Sequence, residues 1–302
     1  MALVIGNGDT YYLQLVFAAE FNYGDDNDIV FGSPALEYII TGSGDDTIYT
    51  GLGGGPVWAG DGDDWVRGGS ANDQIHAEAG DDLYIGGAGF DTLDFQLILW
   101  NNDGIIYNND GVTFDLAKTD PQYNDSIGWD QAIGFEAING SYGDDFFFGT
   151  RRNDGLFGER GNDELSGREG DDTLTGWFGS DTMIGGLGAD RISCFDPETQ
   201  VEDRVVYESL RDSGVTSATR DVIDGFVSGV DTLDFSALDA RPSTAGSQAF
   251  KVVTKFTRAE GEIRLVYSGD DTIIQVDGDT DTAVDMTILV KGAHVRAFDL
   301  DV

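Results

Sequence analysis

Aspartate recurs at every ninth residue along one stretch of the chain, from Gly140 to Ser193. The stretch divides into six nine-residue units: GSYGDDFFF, GTRRNDGLF, GERGNDELS, GREGDDTLT, GWFGSDTMI and GGLGADRIS. The sixth residue of every unit is aspartate: Asp145, Asp154, Asp163, Asp172, Asp181 and Asp190. Carboxylates at one fixed position, with no histidine or cysteine in the pattern, could bind a hard cation. Calcium fits such an oxygen-only ligand set best.

The rest of each unit predicts the structure that positions these aspartates. The first residue is always glycine, and the fourth is glycine in all units but one, where Arg152 stands. Glycine permits the backbone angles of a tight turn, so three residues remain for a short strand. The eighth residue, which points inward, is always apolar: Phe147, Leu156, Leu165, Leu174, Met183 and Ile192. Two units form one coil of about 18 residues, so each aspartate stacks on the aspartate one coil earlier.

Residues 23–94 contain a first block of eight such units. Their sixth residues are Asp28, Glu37, Asp46, Gly55, Asp64, Asp73, Asp82 and Asp91. Their eighth residues are Val30, Ile39, Ile48, Val57, Val66, Ile75, Tyr84 and Leu93. Because consecutive units alternate between the two edges of the coil, one edge carries Asp28, Asp46, Asp64 and Asp82 without a gap. The other edge is interrupted at Gly55, and we expect an intact site there only near Asp73 and Asp91.

These units resemble the calcium-binding nonapeptide of RTX proteins, GGxGxDxUx. The resemblance implies about eight calcium ions, each held by aspartates 18 residues apart. The predicted pairs are 28/46, 46/64, 64/82, 73/91, 145/163, 163/181, 154/172 and 172/190. Carbonyl groups of the glycine turns complete the predicted ligands, with Gly44, Gly62, Gly80, Gly143, Gly161, Gly170, Gly179 and Gly188 as the candidates.

The charge, the cysteine count and the lengths of the apolar runs argue against several classes of protein. The 302 residues include 56 acidic and 17 basic residues, a net charge of −39, which argues against nucleic-acid and anionic-lipid partners. Cys194 is the single cysteine, so no internal disulfide is expected, and we interpret it as a core residue. No apolar run approaches 18 residues, so no membrane span is predicted. The first residues lack the basic and apolar regions of a cleavable signal peptide.

The C-terminal region resembles that of the serralysin-type metalloproteases. Two runs carry the resemblance, ATRDVIDGFVSGVDTLDFSAL at 218–238 and GEIRLVYSGDDTIIQVDGDTDTAVDMTILVKG at 261–292. We interpret both as hairpin strands, the first with a turn or helical segment near 223–226. The resemblance implies type I secretion with an uncleaved signal at the C-terminal AFDLDV. It also suggests Asp231 and Asp234 as calcium ligands, with a role as polar turn residues as the alternative.

The predicted fold is all-β: two right-handed parallel β-rolls joined by a spacer, plus a C-terminal β-sandwich-like cap. The predicted domains are an N-terminal cap at 1–22, rolls at 23–94 and 140–193, a spacer at 95–139, and a serralysin-like domain at 194–302. Within the spacer, GVTFDLA at 111–117 is predicted to be a strand and TDPQYNDSIGWD at 119–130 a loop. Trp100 and Trp129 are interpreted as packing residues.

Two further features leave alternatives open. An outward face of the first roll is apolar, with Ile29, Phe31, Thr47, Tyr49, Trp65, Arg67, Leu83 and Ile85. We expect the spacer or the second roll to cover it, and an external partner is the alternative.

Asp277, Asp279 and Asp281 resemble the opening of an EF-hand loop. Against an ion site there, Thr282 replaces the glycine at the sixth position and Ile288 the glutamate at the twelfth.

No motif indicates catalysis. There is no HExxH zinc motif and no GxSxG nucleophile motif, and His76 and His294, the only histidines, are interpreted as surface residues. We therefore predict a secreted, extracellular calcium-binding RTX protein that folds on binding calcium and is not an enzyme. The alternatives are a calcium-dependent adhesin or surface-layer component, which binds a glycan, a receptor or a second copy, and a polysaccharide lyase, epimerase or glycosidase using paired carboxylates.

Overall fold

The computed structural model describes residues 11–12, 22–24, 27–34, 38–96, 98–101, 104–107, 110–197, 201–240 and 248–302. The chain divides into two compact units, Met1–Gly143 and Asp144–Val302. The described residues form β-strands and one short 3₁₀-helix, Ala297–Asp299, and no α-helix. Within them, no helix has the length and apolar character needed to cross a membrane.

The first unit contains sixteen described strands, which are numbered in chain order. They are β1 (Tyr11–Tyr12), β2 (Asn22–Gly24), β3 (Ile29–Phe31), β4 (Ile39–Ser43), β5 (Thr47–Tyr49), β6 (Gly55–Asp61), β7 (Trp65–Arg67), β8 (Asp73–His76), β9 (Leu83–Ile85), β10 (Thr92–Asp94), β11 (Ile98–Asn101), β12 (Gly104–Tyr107), β13 (Thr113–Asp115), β14 (Gln122–Asn124), β15 (Gly128–Ile133) and β16 (Ala137–Asn139).

Two sheets face each other across the coil of this unit. One has the order β1-β3-β5-β7-β9-β15-β14 and the other includes β2-β4-β6-β8-β10-β16. Thr47 pairs with Trp65 in parallel register, and Gly55 with Asp73, an offset of 18 residues. The eighth residues of the units are 0–1% exposed from Val30 to Leu93. Each sheet therefore turns the same position of the repeat inward, and the predicted parallel β-roll is confirmed.

The segment predicted to be a loop at 119–130 contains strands instead. β14 and β15 pair antiparallel, and β15 continues the roll by pairing parallel with β9. The predicted strand within 111–117 is present as β13. Side-chain oxygens of Asn124 and Gln122 accept its backbone N–H groups at Thr113 and Asp115, each at 2.9 Å. Asn, Asp and Ser in this segment obscured its strand character because these residues favour turns.

The second unit contains the other fourteen strands. They are β17 (Phe146–Phe148), β18 (Gly155–Arg160), β19 (Glu164–Glu169), β20 (Thr173–Phe178), β21 (Thr182–Leu187), β22 (Arg191–Ser193), β23 (Arg204–Val206), β24 (Asp221–Asp224), β25 (Thr232–Asp234), β26 (Lys251–Val253), β27 (Glu262–Ser268), β28 (Asp271–Asp277), β29 (Met286–Val290) and β30 (Leu300–Asp301).

Parallel pairing in this unit continues past Ser193, the predicted end of the second roll. One sheet contains β17-β19-β21-β23-β25-β30, and the other contains β18-β20-β22-β24-β29-β28-β27-β26. The pairings Thr182↔Arg204, Arg191↔Val222 and Arg204↔Thr232 show that loops of varying length replace the constant nine-residue spacing. The predicted hairpin within 218–238 is wrong, because β24 and β25 lie in different sheets. The predicted hairpins at 261–292 are present, with β28 antiparallel to both β27 and β29.

Several outward side chains differ from their prediction. His76 is 7% exposed, and its ring stacks on that of Trp58 with centroids 4.3 Å apart, so it is not a surface residue. Trp129 is 52% exposed beside Tyr123, so it is not a packing residue. His294 is exposed and Cys194 buried, as predicted. The side chain of Trp100 lies outside the described residues, as does Glu37.

Aromatic rings along the apolar outward face pack on one another. The Phe31 ring stacks on that of Tyr49 at 4.8 Å, and Tyr49 meets Trp65 edge to face at 5.0 Å. This arrangement removes part of each ring from water, although Ile29 is 38% exposed. Coverage of the face by another part of the chain stays a prediction.

The fourth-position glycines permit the close stacking of coils. Gly179 has a φ of +130°, and a β-carbon there would lie 1.5 Å from the carbonyl oxygen of Gly161 in the preceding coil. Parallel strands lie about 4.8 Å apart, which leaves no room for a side chain between two turns. The glycine repeat is therefore a packing requirement as well as a turn signal.

Replacing Gly179 with alanine should destabilise the calcium-loaded second unit by about 2–5 kcal/mol, through backbone strain and overpacking together. Gly269→Ala is the matched control, because Gly269 has a φ of +66° and no atom within 4 Å of an added β-carbon. It should cost only about 1 kcal/mol. Chemical denaturation in millimolar calcium measures both, and equal losses would contradict the stacking argument.

Candidate metal centre

The sixth-position aspartates form a continuous row along one edge of the first unit. The backbone N–H of each donates to a carboxylate oxygen of the aspartate one coil later, from Asp28 to Asp46 at 2.7 Å, Asp46 to Asp64 at 2.8 Å and Asp64 to Asp82 at 2.7 Å. The row then continues beyond the predicted block, because the N–H of Asp82 donates to Asp130 at 3.2 Å. Stacked carboxylates are thus held in register by the backbone.

The other edge of the first unit is shorter, as the sequence predicts. The N–H of Asp73 donates to Asp91 at 2.9 Å, and that of Asp91 to Glu136 at 3.0 Å. Gly55 supplies no carboxylate at the coil before Asp73. One Asp73 oxygen instead accepts the N–H of Gly69 at 2.9 Å.

The second unit repeats this arrangement on both edges. One row runs from Asp145 through Asp163, Asp181 and Asp203 to Asp231, with N–H to carboxylate distances of 2.8, 2.9, 3.1 and 3.1 Å. The other runs from Asp154 through Asp172 and Asp190 to Asp221, with distances of 2.8, 2.8 and 2.9 Å. The structure therefore brings together all eight predicted pairs and extends both rows.

The second oxygen of most of these carboxylates is buried without a hydrogen-bond donor. This holds for Oδ2 of Asp46, Asp64, Asp91, Asp130, Asp163, Asp172, Asp181, Asp190 and Asp221. The residues themselves are 0–3% exposed. A buried polar atom without a partner costs free energy, and a buried charge costs more. A cation shared between neighbouring carboxylates would remove that cost, so these residues fit a metal.

First-position glycines make room for this second oxygen. A β-carbon at Gly176 would lie 1.9 Å from Oδ2 of Asp181, and one at Gly158 would lie 2.1 Å from Oδ2 of Asp163. The carboxylate therefore folds back over its own turn. The carbonyl oxygen of Gly161, which points towards Gly179, adds a neutral oxygen to the space between two coils.

Burial dominates the electrostatics of the rows. It raises the pKa of Asp163 to about 9, and the charges of Asp181 and Asp145 add to the rise. Burial likewise raises the pKa of Asp172 to about 8, with Asp190 and Asp154 contributing. The pKa of Asp64 is raised to about 8 by burial and by Asp82 and Asp46. Without a cation the fold therefore favours protonated carboxyls.

One predicted ligand has a different second partner. Oδ2 of Asp82 accepts a hydrogen bond from the hydroxyl of Tyr84, which is fully buried at the eighth position of the same repeat. Burial raises the pKa of Asp82 to about 6 and that of Asp130 to about 9. Near the end of this row a carboxylate oxygen thus accepts a hydroxyl group, whereas at Asp46 and Asp64 the corresponding oxygen has no donor.

A second row, at the fifth position, was not predicted. Here the N–H of Asp63 donates to Asp45 at 3.1 Å and that of Asp81 to Asp63 at 3.0 Å. The N–H of Asp171 donates to Asn153 at 2.9 Å in the second unit. These side chains are exposed. Each fifth-position side chain accepts a backbone N–H from the coil that follows it. Each sixth-position carboxylate instead accepts a backbone N–H from the coil that precedes it. The sequence indicates this row through the Asn or Asp that directly precedes the sixth-position aspartate in these repeats.

Sequence reasoning also missed Asp130, Asp203 and Asp221 as members of the buried rows. Each lies two residues before an inward apolar residue, as in the repeat, but outside the nine-residue spacing. Asp231 closes its row with both oxygens occupied, since they accept the N–H groups of Asp203 at 3.1 Å and Val227 at 2.6 Å. Asp234 pairs with Arg204 and accepts the N–H of Ser236 at 2.8 Å. These contacts favour the turn role over ion binding for both.

Two known families match the chain. The RTX calcium-binding nonapeptide repeat matches residues 23–54 and 58–93, in four copies. The Peptidase M10 serralysin C-terminal family matches residues 136–302, more than half of the chain. The chain belongs to this family. Its RTX repeats bind calcium, and both matches are to regions other than a protease catalytic domain.

Other comparisons found solved structures of low similarity and no curated relative. No curated protein matches the chain. The AlgE6R2 subunit of the Azotobacter vinelandii mannuronan C5-epimerase is 22% identical, with a TM-score of 0.37 over 50% of this chain and 89% of that subunit. The AlgE6R3 subunit is 22% identical, with a TM-score of 0.21 over 56% and 80%. The extracellular lipase LipA of Serratia marcescens is 15% identical, with a TM-score of 0.20 over 92% of this chain and 40% of the lipase.

The raised pKa values predict a pH dependence for the calcium-free chain. Because Asp163, Asp172 and Asp64 have folded-state pKa values of about 8–9, protonation stabilises the fold. That contribution is complete below the unfolded pKa of about 4 and is lost as the pH rises through the folded values. Calcium-free chain should therefore show more β structure at pH 4 than at pH 8 by circular dichroism.

Calcium-loaded chain is the control for this measurement. Its carboxylates are ionised in both the folded and unfolded states between pH 6 and pH 8, so its β content should not change in that range. A calcium-free chain with no more β structure at pH 4 than at pH 8 would contradict the assignment of raised pKa values to the rows.

Proposed function

We propose that the chain is a secreted protein that folds when its carboxylate rows bind calcium outside the cell. One observation carries the proposal: aspartates from successive coils are buried in register while one oxygen of most of them lacks a donor. The calcium-binding RTX family match supplies the identity of the cation.

The eight predicted pairs are the proposed core sites. Each takes carboxylate oxygens from aspartates 18 residues apart, and turn carbonyls such as that of Gly161 add neutral oxygens. The extended rows suggest three further sites, between Asp82 and Asp130, Asp181 and Asp203, and Asp190 and Asp221. Asp130 supports this extension most strongly because it retains a buried oxygen without a donor, whereas Asp221 lies beside the buried hydroxyl of Tyr207.

Calcium would supply the positive charge that the rows lack. The chain has a net charge of −39, so its acidic turns repel one another unless cations or protons intervene. In a metal-dependent fold, binding free energy becomes folding free energy. Extracellular calcium modules bind at about 10⁻⁴–10⁻³ M. Such sites would stay largely empty in a low-calcium cytoplasm and fill outside.

Secretion before folding is consistent with the position of the C-terminal residues. RTX repeats and a serralysin C-terminal region indicate type I secretion. Leu300–Asp301 form strand β30, which pairs parallel with β25, and Leu300 is 7% exposed. A signal within AFDLDV would therefore be accessible in the unfolded chain and partly buried after folding.

Surface adhesion is a second candidate, favoured by one observation. Tyr123 and Trp129 expose 54% and 52% of their surfaces, with ring centroids 5.2 Å apart. Exposed aromatic rings are typical of binding surfaces. Light scattering and glycan pull-downs in millimolar calcium test this candidate. Binding that Trp129→Ala abolishes would support it, and a monomer that captures no glycan would oppose it.

Two adjacent aspartates offer a matched test of the calcium proposal. Asp172 is buried and its carboxylate accepts the N–H of Asp154, whereas Asp171 is exposed and accepts the N–H of Ala189 at 2.9 Å. Asparagine keeps the accepting oxygen at either position and removes the charge. Asp172→Asn should raise the calcium concentration at the folding midpoint, because the charge is lost from the two neighbouring sites that share Asp172 and their binding free energy contributes to folding.

Asp171→Asn should leave that midpoint nearly unchanged. Calcium titration monitored by circular dichroism measures both variants beside the wild-type chain. An unchanged midpoint in Asp172→Asn, or equal shifts in the two variants, would exclude the buried row as the calcium site.

A further inference from the structure

A cluster of acids outside the rows lies in the loop between β28 and β29. The loop runs from Asp277 to Asp285 with the sequence DGDTDTAVD. One carboxylate oxygen from each of Asp277, Asp279 and Asp285 lies within 4.8 Å of the other two. Three carboxylates at this separation repel one another unless they are protonated or share a cation.

Asp277 provides an independent indication of a ligand. The residue is 0% exposed, and its Oδ2 is buried without a hydrogen-bond partner. Burial raises its pKa, and the charges of Asp285 and Asp279 add to the rise. Among the described residues, no Lys, Arg or His side chain forms an ion pair with any acid of this loop. A buried, unpaired carboxylate oxygen within an acidic cluster calls for a cation.

We infer that Asp277, Asp279 and Asp285 form a divalent-cation site that is separate from the carboxylate rows and takes calcium. The ligands are all hard oxygens, and they come from an irregular loop. Calcium accepts such variable geometry, whereas magnesium demands a near-ideal octahedron and retains its waters.

The spacing of these acids matches part of an EF-hand loop. Asp277, Asp279 and Asp285 occupy its first, third and ninth positions, all of which supply ligands in that motif. Asp281, at the fifth position, is exposed like Asp279 and also accepts a backbone N–H within the loop, but it lies outside the group of three carboxylates. The ligand set therefore differs from the Asp277, Asp279 and Asp281 set that the sequence suggests.

The replacement of the EF-hand glycine by Thr282 at the sixth position does not prevent the loop from turning. Thr282 has a φ of +71°, which is the left-handed conformation that glycine supplies at this position of an EF-hand. The backbone therefore makes the turn despite the threonine side chain. The twelfth position remains Ile288, which is buried in β29, so the loop lacks the bidentate glutamate of tight sites. We place its affinity among extracellular modules, at about 10⁻⁴–10⁻³ M.

Counting bound ions tests the site. Native mass spectrometry of the full chain in millimolar calcium should show one ion fewer in Asp279→Asn and in Asp277→Asn than in the wild type. Asp281→Asn is the control from the same loop and should retain the wild-type count. Equal counts in all four proteins would overturn the proposal, as would the loss of an ion from Asp281→Asn alone.

Crystals grown in millimolar calcium locate the ion and separate this proposal from the proposed function. An anomalous difference peak among Asp277, Asp279 and Asp285 in the wild type, absent in Asp279→Asn, would support the loop site. Peaks along the rows without one at the loop would overturn this inference and leave the proposed function intact. A peak at the loop without peaks along the rows would support this inference and overturn the proposed function. Thr282→Gly should increase loop occupancy at limiting calcium, because glycine adopts a positive φ without strain.

Discussion

Burial of carboxylates without enough donors is the constraint on which both units depend. Each coil places an aspartate at its edge, and the backbone of the preceding coil satisfies only one of its oxygens. The other oxygen is enclosed by the turn that carries it, as the contact between Asp181 and Gly176 illustrates. A chain with a net charge of −39 can bury such rows only with protons or cations between the acids. The inward row contributes a single apolar residue per repeat, so it forms a thin core. In the proposed function, the metal is therefore part of the fold rather than an addition to it.

The same constraint explains how the roll tolerates irregular loops. Beyond Ser193 the offset between paired strands changes from 18 residues to 22, 28 and 31, yet each new strand is preceded by an aspartate that joins the row. Asp203 and Asp221 thus occupy the position that Asp181 and Asp190 hold within the repeats. The row ends at Asp231, where Val227 donates to the second oxygen and Arg204 pairs with the nearby Asp234. Donors from the chain itself take over there, so the coil can end without another cation.

Much of this architecture follows from the nine-residue period. That period predicts the inward residues, the 18-residue register, all eight stacked pairs and the gap at Gly55, because each depends only on spacing and residue type. Asp130, Asp203 and Asp221 lie after insertions, and no period predicts which acid will meet the row after a loop of unknown length. His76 and Trp129 were misassigned because alternation along a strand tells which side a residue faces and not what lies over it. Thr282 shows a related limit, since residue type alone does not exclude a left-handed backbone conformation.

Circular dichroism of the full chain at neutral pH, in chelator and then through a calcium titration, tests the dependence of the fold on metal most directly. The rows predict little β structure in chelator and a cooperative gain as calcium reaches the millimolar range, with magnesium unable to replace it at the same concentration. The same β content in chelator as in millimolar calcium would show that the carboxylate rows are stable without the ion, and would contradict the account.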